Sequence, residues 1–289
     1  MAADSMWINA PAKINIGLDV TGKREDGYHE IRTIMQSIKL FDRLTLTKTR
    51  APGVRLSTNL KFLPTDDNNL IVKSAKMLIK EFDLPGGLNI NLEKRIPVAA
   101  GMAGGSTDAA STMIAINQMY DIGLKDSGLM KRAVKLGADI PYCIMKGTAL
   151  AEGIGEKLST VPKLPGCTIL LVKPKIHVST KDVYGGLVLD ENTVHPDIDK
   201  MIDAMKNKSL KTLCDHMGNI LESVTISLHP EIADIKQFML DHGALGSLMS
   251  GSGPTVFGIY KDKNAAMLAK DEALKAFDKC FAFVTELYR

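Results

Sequence analysis

The sequence predicts a protein of two parts, each mixing strands and helices in α/β or α+β fashion. Three observations predict it. The chain has 289 residues, more than one compact core usually organises. Stretches of strict apolar–polar alternation, the period of a strand, recur along it. Between them, in both halves, lie apolar stripes at the period of a helix, and such interleaving marks a mixed fold.

Residues 7–20, WINAPAKINIGLDV, alternate cleanly. Ile8, Ala10, Ala12, Ile14, Ile16, Leu18 and Val20 share one face, which leaves Lys13, Asn15 and Asp19 projecting together from the other. TGKREDGYHE makes a turn, and IRTIMQSIKLFDRLTLTKT returns to strand-like segments. PTDDNN supplies capping residues for a helix whose stripe is Leu70, Ile71, Ala75, Leu78, Ile79 and Phe82. Leu88, Ile90 and Leu92 alternate in a further strand. After it comes PVAAGMAGGSTDAA, a loop almost free of side chains, expected to open a helix at Ser106 with Ala109, Met113, Ile116 and Tyr120 as its stripe. GLMKRAVKLG reads as a short helix closed by Gly137, and CIMKGTALAEGIG as a strand pair. STVPKLPGC suggests a domain boundary, giving domains 1–160 and 161–289. Beyond it the pattern predicts the strand TILLVKP, a polar excursion KIHVSTKDVYGG, and helices near 197–206, 209–223 and 230–241. A hairpin in LGSLMSGSGPTVFGIY, a helix at 264–278 and a last strand in CFAFVTELY complete the chain.

Composition narrows the function. With 45% hydrophobic and 24% charged residues the chain has an ordinary globular balance. A formal charge of +3 from 36 basic and 33 acidic residues speaks against a nucleic-acid protein, which concentrates a basic face, and leaves an anionic small substrate open. Cys143, Cys167, Cys214 and Cys280 form no CxxC pair and the six histidines are scattered, so no metal site made by protein alone is expected. No apolar run approaches the length of a membrane span, and the N-terminus reads as neither signal nor transit peptide. The expectation is a cytoplasmic protein with no nucleic-acid or membrane partner.

Five features could carry chemistry. Glycines in the loop let backbone N–H groups approach an anion, and a helix start there adds its positive end; the alternative is a tight, closely packed turn. With no lysine after the glycines the loop is not a Walker A motif, and GxGxxG is absent. Lys13 is either a surface strand lysine or part of a site with Asn15. Asp139 in LGADIPYC is either a turn carboxylate or one fixed at an active site, on an irregular corner because Pro141 biases Ile140 away from helix. Tyr28 and His29 could stack on and hydrogen-bond a base. SGSGP at 250–254 could be a hairpin turn or a second anion contact.

Taken in order, PAKINIGLDVTGKREDGYHE, PVAAGMAGGSTDAA, GADIPYC and MSGSGPTVFGI resemble the GHMP small-molecule kinase superfamily, over about residues 8–260. The resemblance implies the two-domain GHMP kinase fold: an α+β chain with a ribosomal-protein-S5 domain 2-like N-terminal domain and a ferredoxin-like C-terminal domain. It implies ATP with Mg²⁺ as donor, and as acceptor the 2-hydroxyl of a cytidine-diphosphate-linked methylerythritol of the non-mevalonate isoprenoid pathway. Lys13 and Asp139 match the catalytic pair. Pro97, Val98, Ala99, Ala100, Gly101, Met102, Ala103, Gly104, Gly105, Ser106 and Thr107 match the phosphate loop. Asn69 and Lys94 stand where the family contacts ATP. Asn15, Tyr28, His29 and Tyr184 match substrate contacts, the last three around cytosine. Mg²⁺ would come with ATP and touch Ser106 or Thr107. The implied assembly is a monomer or weak homodimer. Homoserine or mevalonate kinase is the neighbouring alternative, and a non-catalytic nucleotide-binding module is the alternative of another class. The loop departs from the family's GLGGGSS at Ala103; if that position needs φ > 0, alanine costs about 1 kcal/mol there.

Overall fold

The structure, a computed structural model, describes residues 4–288. The described chain forms two compact units: residues 4–12, Leu40–Val98 and Ala103–Met145 make the first, and Lys13–Lys39, Ala99–Met102 and residues 146–288 the second. Two long strands, β1 (Ser5–Lys23) and β2 (His29–Thr49), contribute residues to both. The chain therefore changes unit several times, and residues 146–160 belong with the second unit, where the sequence alone suggested one change near 160.

In the first unit β2 pairs with β4 (Gly87–Glu93) antiparallel, setting Leu44 opposite Leu92 and Leu46 opposite Ile90. A strand absent from the sequence-based expectation, β3 (Gly53–Thr58), runs parallel on the other side of β4. Between β3 and β4 in sequence lies α1 (Leu70–Glu81), where the stripe and cap place it: the Asn69 carboxamide oxygen accepts from Ile71 N–H, and Ile71, Val72, Ala75 and Leu78 are buried. α1 packs on α2 (Gly104–Met119), and α2 on α4 (Ile140–Met145), with α3 (Asp126–Ala133) beside α4. Two expectations are corrected here. Helix α2 opens at Gly104, one turn's fraction earlier than Ser106. The CIM of CIMKGTALAEGIG ends a helix, because Pro141 sits in the first turn of α4, where a missing N–H has no intrahelical partner to lose.

In the second unit the early half of β2 pairs antiparallel with β5 (Thr148–Gly153), and β5 with β6 (Lys157–Thr160). A second sheet runs β10-β7-β9-β8, antiparallel throughout. Its strands are β7 (Thr168–Lys173), β8 (Gly246–Met249), β9 (Val256–Tyr260) and β10 (Phe281–Glu286). Between β7 and β8 lie α5 (Thr180–Gly186), α6 (Ile198–Lys206), α7 (Leu210–His216), α8 (Glu222–Leu228) and α9 (Glu231–Asp241). The single helix expected over 209–223 is thus broken, with residues 217–221 between α7 and α8. Helix α9 packs on β8 and β9, and α10 (Lys263–Ala276) on β7 and β10. One apolar cluster joins Leu170, Val172, Met239, Val256 and Tyr260 to Leu18 and Val20 of β1.

Strand β1 departs from its predicted single apolar face: every residue from Ala10 to Val20 is buried. Gly17 shows why. A Cβ there would lie 2.5 Å from the Met201 methyl carbon, so α6 covers the side of the strand that carries the polar residues. No described helix is long and apolar enough to cross a membrane.

Candidate active site

The glycine loop has its feet in the first unit and its tip in the second. On the upstream foot Pro97 is half-buried and Val98 exposed. The backbone then turns through three left-handed residues in alternation: Ala99 at φ 50°, Gly101 at φ 70° and Ala103 at φ 53°. Ala100 and Met102 between them are buried. Only glycine fits at 101, because a Cβ would fall 2.1 Å from the Ser250 carbonyl oxygen. The tip is held within the second unit: Lys13 N–H donates to the Met102 carbonyl at 3.2 Å and the Ser250 hydroxyl to the Gly101 carbonyl at 2.9 Å. The SGSGP turn is therefore a support for the loop tip. Asn219 braces that turn, donating to the Met249 and Gly251 carbonyls at 2.8 Å each.

Ala103 is also the N-cap of α2, with no side-chain cap hydrogen bond. Its left-handed geometry answers the question its identity raised: alanine occupies a position that glycine adopts more cheaply. Helix α2 starts with Gly104, exposed Gly105, Ser106 and the fully buried Thr107, whose Oγ1 has no hydrogen-bond partner among the described residues. A helix start with no capping side chain, preceded by a backbone of alternating left-handed residues, presents N–H groups and a positive dipole end to an anion. The donor set fits a polyphosphate with its cation: backbone N–H groups for phosphate oxygens, and the Ser106 and Thr107 hydroxyls for the metal or phosphate.

Of the two residues expected near ATP, Asn69 spends its carboxamide locally, accepting from Ile71 N–H at 2.9 Å and donating to the Pro64 carbonyl at 2.8 Å. Lys94 turns inward. Its ammonium is buried between Asp42 and Asp108, donating to both, with Asp108 Oδ2 at 2.8 Å. Burial alone would lower its pKa, yet the two carboxylates carry it above the ordinary lysine value. Desolvation pushes Asp108 up to about 8 against the pull of Lys94. Asp139, half-buried, stands in the turn just ahead of α4, and its carbonyl accepts from Cys143 N–H at 3.1 Å. It is thus at the start of a helix and not between a helix end and a strand.

In the second unit Lys13 is 5% exposed and its ammonium donates to Asn15 Oδ1 at 2.6 Å. Asn15 in turn donates to the Thr33 hydroxyl at 2.9 Å, which donates to the Gly17 carbonyl at 2.6 Å. This chain fixes the Asn15 carboxamide so that its oxygen faces lysine. His29 and Tyr184 come together across the sequence, ring centroids 5.2 Å apart and tilted by 41°. Burial, with the Lys23 charge nearby, holds the His29 imidazole below its ordinary pKa, so at neutral pH it is an uncharged donor and acceptor. Tyr28 beside it is 58% exposed.

Sequence reasoning missed Asp42, Asp108, Asn219, and the pair Asp19–His195, whose Oδ1 and Nδ1 lie 2.7 Å apart. Asp108 left one signal, an acid alone among the small residues of STDAAST on a helix whose neighbours are buried. Asp42 left none, lying in a strand far upstream of its partner.

Comparison with known proteins gives the chain its family. Residues 69–147 match the GHMP kinases N terminal domain and residues 201–279 the GHMP kinases C terminal domain. The chain is 52% identical over 263 residues to the 4-diphosphocytidyl-2-C-methyl-D-erythritol kinase of Lachnoclostridium phytofermentans, covering 91% of this chain and 90% of that relative. The enzyme of the same name from Lachnospira eligens is 48% identical, with 94% of each chain covered. A crystal structure of 4-(cytidine 5'-diphospho)-2C-methyl-D-erythritol kinase superposes with a TM-score of 0.82 at 32% identity, covering 97% of this chain and 99% of that one. A homoserine kinase from Cytophaga hutchinsonii reaches the same TM-score at 21% identity, over 99% of this chain and 96% of that one, a likeness of fold. The chain belongs to the family of 4-diphosphocytidyl-2-C-methyl-D-erythritol kinases, a branch of the GHMP kinases.

Proposed function

We propose that this chain is an ATP-dependent small-molecule kinase acting on the 2-hydroxyl of 4-diphosphocytidyl-2-C-methyl-D-erythritol, in the non-mevalonate route to isoprenoid precursors. The observation that carries the donor side is the loop of alternating left-handed residues feeding the uncapped start of α2. The acceptor rests on the relatives' shared name and on the His29–Tyr184 ring pair beside Tyr28. The reading extends to a cytoplasmic enzyme that works as a monomer or weak homodimer.

When bound, ATP with Mg²⁺ supplies the phosphoryl group and the cation that neutralises its charge. The protein's own contribution is position and charge. Within the loop 97–107, the backbone N–H groups of residues 98–106 would hold the phosphates, Ser106 or Thr107 would reach the cation through its hydroxyl, and Asn69 and Lys94 would belong to the donor side. Tyr28, His29 and Tyr184 hold the cytosine, and Asn15 orients the methylerythritol. Asp139 accepts the proton of the attacking hydroxyl; a carboxylate cannot strip a free alcohol beforehand, but it can take the proton as the new O–P bond forms. Lys13 stabilises the negative charge that develops on that oxygen.

The test incubates the protein with ATP, Mg²⁺ and, separately, the cytidyl substrate, homoserine and mevalonate, with the product followed by phosphorus NMR. A new monoester from the cytidyl substrate alone is expected; a product from homoserine or mevalonate alone overturns the assignment. In the same assay Asp139→Asn is expected to lower turnover by about 10²- to 10⁴-fold while nucleotide affinity stays within about twofold. Undiminished turnover removes Asp139 from the role of base.

A further inference from the structure

Loop 97–103 leaves β4 through residues 94–96 and enters α2 at Gly104, so whatever fixes those two ends fixes the path between them. One buried cluster touches both. On the strand side Asp42 Oδ1 accepts from Arg95 N–H at 2.6 Å and from Ile96 N–H at 2.8 Å, and its other oxygen takes the Lys94 ammonium. Asn59 adds a reciprocal pair with the Lys94 backbone, accepting at 2.8 Å and donating at 3.0 Å. On the helix side the same ammonium donates to Asp108 Oδ2 at 2.8 Å. Lys94, Asp42 and Asp108 are 7%, 0% and 2% exposed.

Gly104 is part of the same device. A Cβ there would lie 2.8 Å from Lys94 Nζ and 3.2 Å from the Ile96 Cγ2 methyl. The ammonium thus passes directly beneath the first residue of α2, where the absence of a Cβ leaves it room. Taking the Lys94 ammonium and two carboxyl groups out of water is costly, and an apolar cluster of the same volume would stabilise the fold as well or better. What the ions add is direction: each hydrogen bond fixes one backbone segment relative to the others.

We propose that Asp42, Lys94 and Asp108 form an ionic clasp that holds both ends of the phosphate loop in register, with Lys94 and Asp108 as positioning residues for the nucleotide. The proposal rests on the reading of residues 97–107 as a nucleotide site. The clasp keeps the N–H groups of α2 aimed where the triphosphate lies, so loosening it raises the requirement for ATP and leaves acceptor recognition alone.

The test uses Asp108→Ala, which cuts only the helix-side link and leaves the Asp42–Lys94 pair balanced, and Asp108→Asn, whose amide oxygen still accepts from Lys94. Hydrogen exchange across residues 97–105 is measured without nucleotide, and KM is measured for ATP and acceptor separately. For Asp108→Ala we expect loop exchange and ATP KM both to rise about tenfold, with acceptor KM within about twofold. Asp108→Asn brings both most of the way back. Exchange that quickens throughout the first unit, with both KM values moving together, marks a merely structural role and overturns the proposal, as does a loop that exchanges like wild type. If Asp108→Ala does not fold, Asp42→Asn with Lys94→Met and Asp108→Ala removes every charge of the cluster together, and the same outcomes decide. If the wild-type protein neither binds nor uses ATP, the functional reading fails, while exchange in the nucleotide-free loop still decides the clasp.

Discussion

On the proposed reading, the loop between β4 and α2 and the aromatic group of Tyr28, His29 and Tyr184 answer two recognition problems with different materials. The loop offers almost no side chains: its shape comes from three left-handed residues, a buried ionic cluster at its feet and hydroxyl and amide contacts at its tip. The aromatic group is half-buried or exposed, and within it the His29 and Tyr184 rings are in contact. The first suits a ligand defined by charge and common to many enzymes. The second suits a base, whose recognition depends on a flat face and a few hydrogen bonds. On that reading the donor side is built from backbone that cannot vary without strain, and the acceptor side from side chains that can be exchanged.

That division can be broken most sharply from the acceptor side. Tyr28→Ala together with His29→Ala is expected to raise acceptor KM by about 10- to 100-fold, the range of losing base stacking and its hydrogen bonds, with ATP KM within about twofold. It is the mirror image of Asp108→Ala. A pair of variants that both move both constants erases the distinction, and steady-state kinetics on the two proteins decides.

A smaller effect should appear in pH dependence. The folded protein holds a proton on Asp108 up to about pH 8, whereas an unfolded chain releases it near the ordinary aspartate value of about 3.9. Between those values the folded state binds more protons, so this group makes stability fall as pH rises from about 4 to about 8. Its charged neighbours are Lys94, shifted upward and titrating above that window, and Asp42. Urea unfolding of Asp108→Asn at pH 5 and pH 8 is expected to show a flatter profile than wild type; parallel profiles contradict the burial-driven shift.

The smallest change is Ala103→Gly. A non-glycine residue in the left-handed region costs about 1 kcal/mol, so the variant should gain about 0.5–1 kcal/mol and melt a few degrees higher, about 2–4 °C per kcal/mol. A lower melting temperature would show that position 103 does not pay for its φ.

These residues also show how much the sequence could say. Helix α1 was legible because both its signals are local: Asn69 caps it and its stripe repeats within twelve residues. The alternation of β1 was legible too, but the burial of its polar side was not, since the cover comes from Met201 and Ile198 on a helix far along the chain. Helix α4 was misread because proline argues against helix everywhere except the first turn, and which residue is first is set by tertiary context. Candidate site residues could be nominated from motifs at Lys13, the loop and Asp139. The clasp was not legible, because an ion pair between Asp42 and Lys94 has no fixed spacing, and a lone lysine after a strand looks like any surface lysine.

The way the chain passes between its units has a consequence for heredity. A fragment ending at residue 160 would carry off residues 13–39 and 99–102, which belong to the second unit, and a fragment beginning there would start without them. No single break yields two self-sufficient modules. The units cannot be traded between genes as cassettes, and any exchange of one unit would divide the loop, whose tip and feet belong to different units.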